Sequence, residues 1–153
     1  MTRTVVIGTG NDFRGDDAAG LEVARRLRPR LPPTIEVIEL DGDPAALIEA
    51  WTGAATAWVI DAICSDEPPG TVHRLDIGPD GPPVPNNCHR KSSHVLGLGE
   101  AVALARALDR LPGHLVLIGI TGMSFGLGAA LSDPVRTSTH SVADGLAATL
   151  RTY

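Results

Sequence analysis

The chain has 153 residues, 43% of them hydrophobic and 20% charged, with a formal net charge of -5. That length carries a full hydrophobic core in one domain, expected here over 1–153. The acidic balance, with two Trp, two Phe and one Tyr, excludes general attraction to nucleic acid or anionic membranes and leaves little for base stacking.

Residues 3–9, "RTVVIGT", predict a buried strand, since β-branched residues gather before glycines. Leu21, Ala24, Leu27 and Leu31 then fall at helical spacing, and "RPRLPP" stops that helix because proline cannot continue it. "TIEVIEL" is a second strand. "DGDPAALIEAW" is a turn and a short helix, with Asp43 as N-cap and Pro44 in the first turn. "ATAWVIDAI" is a third, strongly apolar strand. From Cys64 to Asn87 the chain is rich in proline, and only "TVHRLDI" within it reads as a strand, placed at a sheet edge. "SSHVLGLGEAVALARAL" predicts a helix with Ala101, Leu104, Ala105 and Leu108 on one face. "HLVLIGITG" is a buried strand. "MSFGLGAALSDP" is a loop whose "SDP" starts a last helix carrying Val142, Leu146 and Leu150.

Alternating strands and helices define an α/β fold. The expectation is three layers: a mainly parallel twisted sheet of about five strands, helices on both faces, and one antiparallel edge strand. Two cysteines, Cys64 and Cys88, make no disulfide framework, and Cys64 reads as a small buried hydrophobe. No basic segment precedes a long apolar run, and no stretch reaches the roughly eighteen apolar residues that span a bilayer. A reduced, cytoplasmic setting follows as the expectation.

Parallel sheets place their sites at the carboxyl ends of their strands. The first strand delivers Asn11, Asp12, Asp16 and Asp17 there, the second Asp41 and Asp43, the third Asp61. "HRKSSH" then brings His89 and His94 to a helix start. Acids and histidines arriving from separate segments suggest a metal site or an acid–base site. Carboxylates with imidazole suit a borderline ion such as nickel or zinc, whereas carboxylates alone suit magnesium. Plainer roles compete for each residue. Asp17 at a helix start also complements the dipole, Asp16 is the better cap, and Asp43 before Pro44 reads as a cap. Asp61 is harder to explain structurally, because an acid ending an apolar strand is costly unless partnered. His94 also suits a solvated helix start. His73 and His114 read as structural or surface residues, and His140 as a helix face. His89 has no spacing argument behind it, and Cys88 is not expected to bind metal.

Other chemistries fail on detail. Gly8 and Gly10 open a G-x-G-x-x-G pattern, but position 13 is Phe13, and Asp16 and Asp17 would repel a pyrophosphate. No Gly-Lys-Ser/Thr and no G-x-S-x-G occurs, and Ser124 has no histidine placed near it by sequence.

"VVIGTGNDFRGDDAAG" resembles the opening motif of the hydrogenase maturation proteases, the endopeptidases that finish the large subunit of nickel-iron hydrogenases. "ELDGD", "WVIDAI", "KSSHVLGL" and "LIGITGMSFGLGAALSDPV" follow in the family's order, so the resemblance covers nearly the whole chain. It implies a peptidase that cuts a short C-terminal extension from the hydrogenase precursor after nickel insertion, with Asp17, Asp61 and His94 as metal ligands. The nickel would be supplied by the substrate, with no tightly held cofactor on the enzyme. These are the positions that the strand ends and the helix start also offered. Asp41 is a candidate general base or support for a ligand, and Asn11 a shaper of the first loop or a donor to a bound carbonyl. The chain departs from the family pattern at Ala18, where glycine is common, and at "DGD" 41–43 in place of Asp-Gly-Gly. Asp17 stands at a position that can also be glutamate, and the loop from Asp66 to Asn87 is unusually rich in proline. Two rival functions remain: a non-catalytic binder of the nickel-loaded subunit, and a small metallo-hydrolase with another substrate. A dinucleotide-binding oxidoreductase is more distant.

Overall fold

The computed structural model describes residues 3–78 and 97–151. His89, His94, Cys88 and the later part of the proline-rich loop lie outside the described residues. In chain order the elements are β1 (Thr4–Thr9), a 3-10 turn (Gly15–Ala18), α1 (Ala19–Leu27), a second 3-10 turn (Arg28–Arg30), β2 (Ile35–Leu40) and α2 (Pro44–Trp51). They continue with β3 (Thr56–Ile63), β4 (Val72–Ile77), α3 (Gly97–Ala107), β5 (His114–Thr121) and α4 (Asp133–Leu150). One five-stranded sheet has the order β2-β1-β3-β5-β4. All neighbours are parallel except β4, which runs antiparallel to β5 at the edge. The expected architecture is the one found.

Strand periodicity divides the core in two. Val6, Trp58, Ile60, Val116 and Ile118 pack with Val23 and Leu27 of α1 and Val142 and Leu146 of α4. Val5, Ile7, Val59, Leu115 and Leu117 pack with Leu47 and Trp51 of α2 and Ala101 and Ala105 of α3. Central parallel strands are covered on both faces, which is why β1, β3 and β5 are continuous apolar runs in the sequence. Side chains alternate along a strand, so Asp61, two residues after Val59, belongs to the α2–α3 face.

Two expectations are corrected. The buried stripe of α3 runs through Leu98, Ala101, Val102 and Ala105, while Leu104 and Leu108 are exposed. Val102 replaces them because α3 meets the sheet and α2 over a narrow line, set by small residues, rather than along a broad leucine face. Cys64 is not a free buried thiol: it is only half-buried, just past the last residue of β3, and disulfide-bonded. Among the described residues no helix is long and apolar enough to cross a membrane.

Asp43 caps α2 as expected, its side chain accepting from the Ala46 N–H at 3.0 Å. Asp43→Ala should cost about 1 kcal/mol and lower Tm by roughly 2–4 °C. A thermal melt of the variant beside the parent checks this.

Candidate functional site

From the end of β1 the chain turns to β2 on one side, and from β3 it proceeds to the elements on the other side. The carboxyl ends of β1 and β3 therefore flank the point where strand order reverses, the usual ligand crevice of an open parallel sheet. The first loop and Asp61 both arrive there.

Two glycines bring them together. Gly10 has φ +151°, and a Cβ on it would lie 1.9 Å from the Asp17 carbonyl oxygen. The loop thus closes on itself, with the Asn11 N–H donating to that carbonyl at 3.3 Å. Gly20, near the start of α1, lies against β3, and a Cβ there would meet the Ile60 carbonyl oxygen at 2.2 Å. Without side chains at these points, the 3-10 turn holding Asp16 and Asp17 contacts β3. Asn11 shapes the loop, its Oδ1 accepting from the Phe13 N–H at 2.9 Å.

The acids of the first loop have different tasks. Asp12 turns outward and takes both terminal nitrogens of Arg25 at 2.8 and 2.6 Å. Arg25 also reaches Glu39 at 2.7 Å, and Glu39 takes Arg28 at 2.7 Å, so loop, α1 and β2 are stitched together. Hydrogen bonding to Arg25 holds the Asp12 carboxyl below the usual carboxylate range. Asp16 is fully buried but caps neither its own turn nor α1. Its Oδ2 accepts from the main-chain N–H of Met123 at 2.9 Å and Ser124 at 3.0 Å, and from the Ser132 hydroxyl at 2.8 Å. Its Oδ1 accepts from the Ser132 N–H at 2.7 Å, at the N-cap of α4. Burial opposes ionisation of this carboxyl, but those donors outweigh it and lower its pKa. The cap expected of Asp16 thus serves α4 rather than α1.

Asp17 is buried in the turn that Asp16 anchors. Asp61 is half-buried two residues before the end of β3, because pairing with β5 carries the strand on to Ile63, and its Oδ1 accepts from the Ala62 N–H at 2.8 Å. Asp61 lines a cavity of about 280 Å³ with Ile63, His73, Leu98, Leu117 and Gly119 among its walls. Leu98, four positions after His94 in the sequence, opens α3 at this cavity. Asp41 is elsewhere: it ends up in a separate open groove with Asp12, Glu39 and Asp43, and its Oδ1 accepts from the Asp43 N–H at 3.0 Å. Among the described residues no three His, Cys, Asp or Glu are grouped so as to hold an ion.

His73 is the residue that sequence reasoning set aside. It pairs across the sheet with Gly119, which pairs in turn with Asp61, so all three share one row and one cavity. Its Nε2 is 3.0 Å from the hydroxyl of buried Thr121, which lies 2.9 Å from that of Ser65. Strand pairing between β4 and β5 creates this row, and no local pattern in the sequence announces it.

An open, mainly parallel α/β sheet of this order binds ligands at that crevice. Comparison narrows the class. Residues 21–148 match the family model described as hydrogenase maturation protease. The chain belongs to that family. It is 31% identical over 118 residues to the hydrogenase expression/formation protein HupD of Thiocapsa roseopersicina, covering 76% of this chain and 52% of that protein. The chain thus spans about half the length of that relative. The solved hydrogenase maturating endopeptidase HybD of Escherichia coli superposes with a TM-score of 0.77 at 25% identity, over 99% of this chain and 93% of that one. The [NiFe] hydrogenase maturation protease HycI of Thermococcus kodakarensis KOD1 gives 0.72 at 27% identity, over 97% and 92%.

Proposed function

We propose that this chain is an endopeptidase that removes a C-terminal extension from a nickel-iron hydrogenase large-subunit precursor, and that it recognises the nickel already inserted in that substrate. The observation that carries the reading is that the turn bearing Asp17 packs against β3, the strand that carries Asp61, at the switch point of a chain in the maturation-protease family. Asp17, Asp61 and His94 are the assigned ligand set. Two carboxylates and an imidazole suit a borderline divalent ion, and three ligands leave coordination positions for groups of the substrate. Ligands that gain most from a nickel-loaded partner discriminate against an empty one. Asp41 stands outside this set, because it lines the groove on the β2 side. The reading places the reaction in the cytoplasm, where the precursor is assembled.

The test is the intact mass of a large-subunit precursor, nickel-loaded and nickel-free, after incubation with this protein. Loss of a C-terminal peptide from the loaded form alone is the expected result. Binding without cutting would shift the assignment to a recognition protein. Cleavage of both forms alike would remove nickel from the mechanism of recognition.

A further inference from the structure

Phe13, Met123 and Leu127 are the three most exposed large apolar side chains among the described residues, at 73%, 62% and 74%. They lie on two loops far apart in sequence, and those loops are tied to each other. The Phe13 carbonyl accepts from the Gly128 N–H at 2.8 Å, and the Asp16 N–H donates to the Ser124 carbonyl at 2.7 Å. The Asp16 carboxylate adds the bonds to Met123 and Ser124 already described. With its N–H held by Asn11 as well, Phe13 is fixed at both ends of its own residue. Side chains held this way face solvent on a preorganised platform.

We propose that Phe13, Met123 and Leu127 form the apolar seat on which the folded protein substrate docks; this rests on the function proposed above. Size and place choose the occupant. Three such side chains offer a patch of a few hundred Å², whereas a stable interface buries about 800 Å² on each partner. That is too little for a permanent second copy, and it fits the apolar centre of a transient contact. The first loop that carries Phe13 also carries Asp17, four residues on, so a protein bound here has its reacting segment beside the candidate ligands. A folded precursor needs such a foothold, because the crevice alone engages only a short stretch of its chain.

The triple substitution Phe13→Ser, Met123→Ser, Leu127→Ser removes the seat without touching the core. Cleavage of the nickel-loaded precursor is compared with that by the parent and by Leu104→Ser/Leu108→Ser, which alters exposed leucines in α3 and just past its end. The expected result is a rise in KM of ten- to a hundred-fold for the triple variant, with kcat within about three-fold and the α3 variant like the parent. An unchanged KM from a folded triple variant overturns the seat. A parent dimer in sedimentation that the triple variant dissolves also overturns it, in favour of self-association. A parent that cuts no nickel-loaded precursor overturns the functional reading first, and the seat falls with it.

Discussion

Asp61→Asn is expected to abolish precursor processing while leaving the protein folded. The substitution keeps the size of the side chain and an oxygen to accept from the Ala62 N–H; it removes the charge and turns the other carboxylate oxygen into an NH2 donor. Asp61 is half-buried near the end of β3 and outside both core clusters, so the stability change should stay within about 1 kcal/mol. The functional loss should be far larger. Loss of a group that merely supports a metal ligand costs about 10–100-fold, so loss of a direct ligand should cost at least about 100-fold. A time course of precursor mass beside a thermal melt measures both. Processing within a few-fold of the parent, by a variant with an unchanged melt, would remove Asp61 from the ligand set.

The largest stability effect is expected at Asp16. Asp16→Ala leaves the N–H groups of Met123, Ser124 and Ser132 without their acceptor, together with the Ser132 hydroxyl. A buried donor left unsatisfied costs about 1–3 kcal/mol; these four are part-buried and water reaches some of them, so about 1 kcal/mol each, a total of about 4 kcal/mol, is expected against a whole stability of about 5–15 kcal/mol. Urea unfolding followed by circular dichroism would show it as a lower midpoint. Acid should act on the same bond set. The folded pKa of Asp16 lies below its ordinary value, so its contribution is complete above the unfolded value near 3.9. That contribution is lost as pH falls through the lower, folded value. Asp16→Asn should therefore lose less stability than the parent between pH 5 and pH 2. Equal losses in both proteins would mean that the carboxylate charge contributes nothing here.

The sheet could be read from the sequence because its signals are local. "VVIG", "AWVI" and "LVLIGI" are continuous apolar runs, as strands covered on both faces must be, and Asp43-Pro44 writes a helix start in two adjacent residues. The nomination of Asp61 used the same local logic: an acid ends an apolar strand. What depended on distant pairing was hidden. Asp16 and Asp17 are adjacent, and nothing in the sequence tells which one is spent on α4, because the partners of Asp16 come 107 to 116 positions later. His73 looked idle for the same reason, since β5 alone places it in a row with Asp61. Leu104 and Leu108 fit a helical stripe by spacing, yet the α3 line of contact is set by Ala101, Val102 and Ala105. The state of Cys64 also escaped, because one cysteine in a loop carries no sign of its bonding.

The attachment of Asp16 to Ser132 has a consequence for the order of events during folding. A contact spanning 116 positions closes late, since long loops must be ordered before such a bond can form. The turn bearing Asp17 lacks the last of its anchors, the bonds from Asp16 to Ser132, until the start of α4 has emerged. A partial chain can therefore build β1, α1 and β2 and still lack a set crevice. The crevice is therefore set only after the loop bearing Met123 and Ser124 and the start of α4 have closed on the first loop.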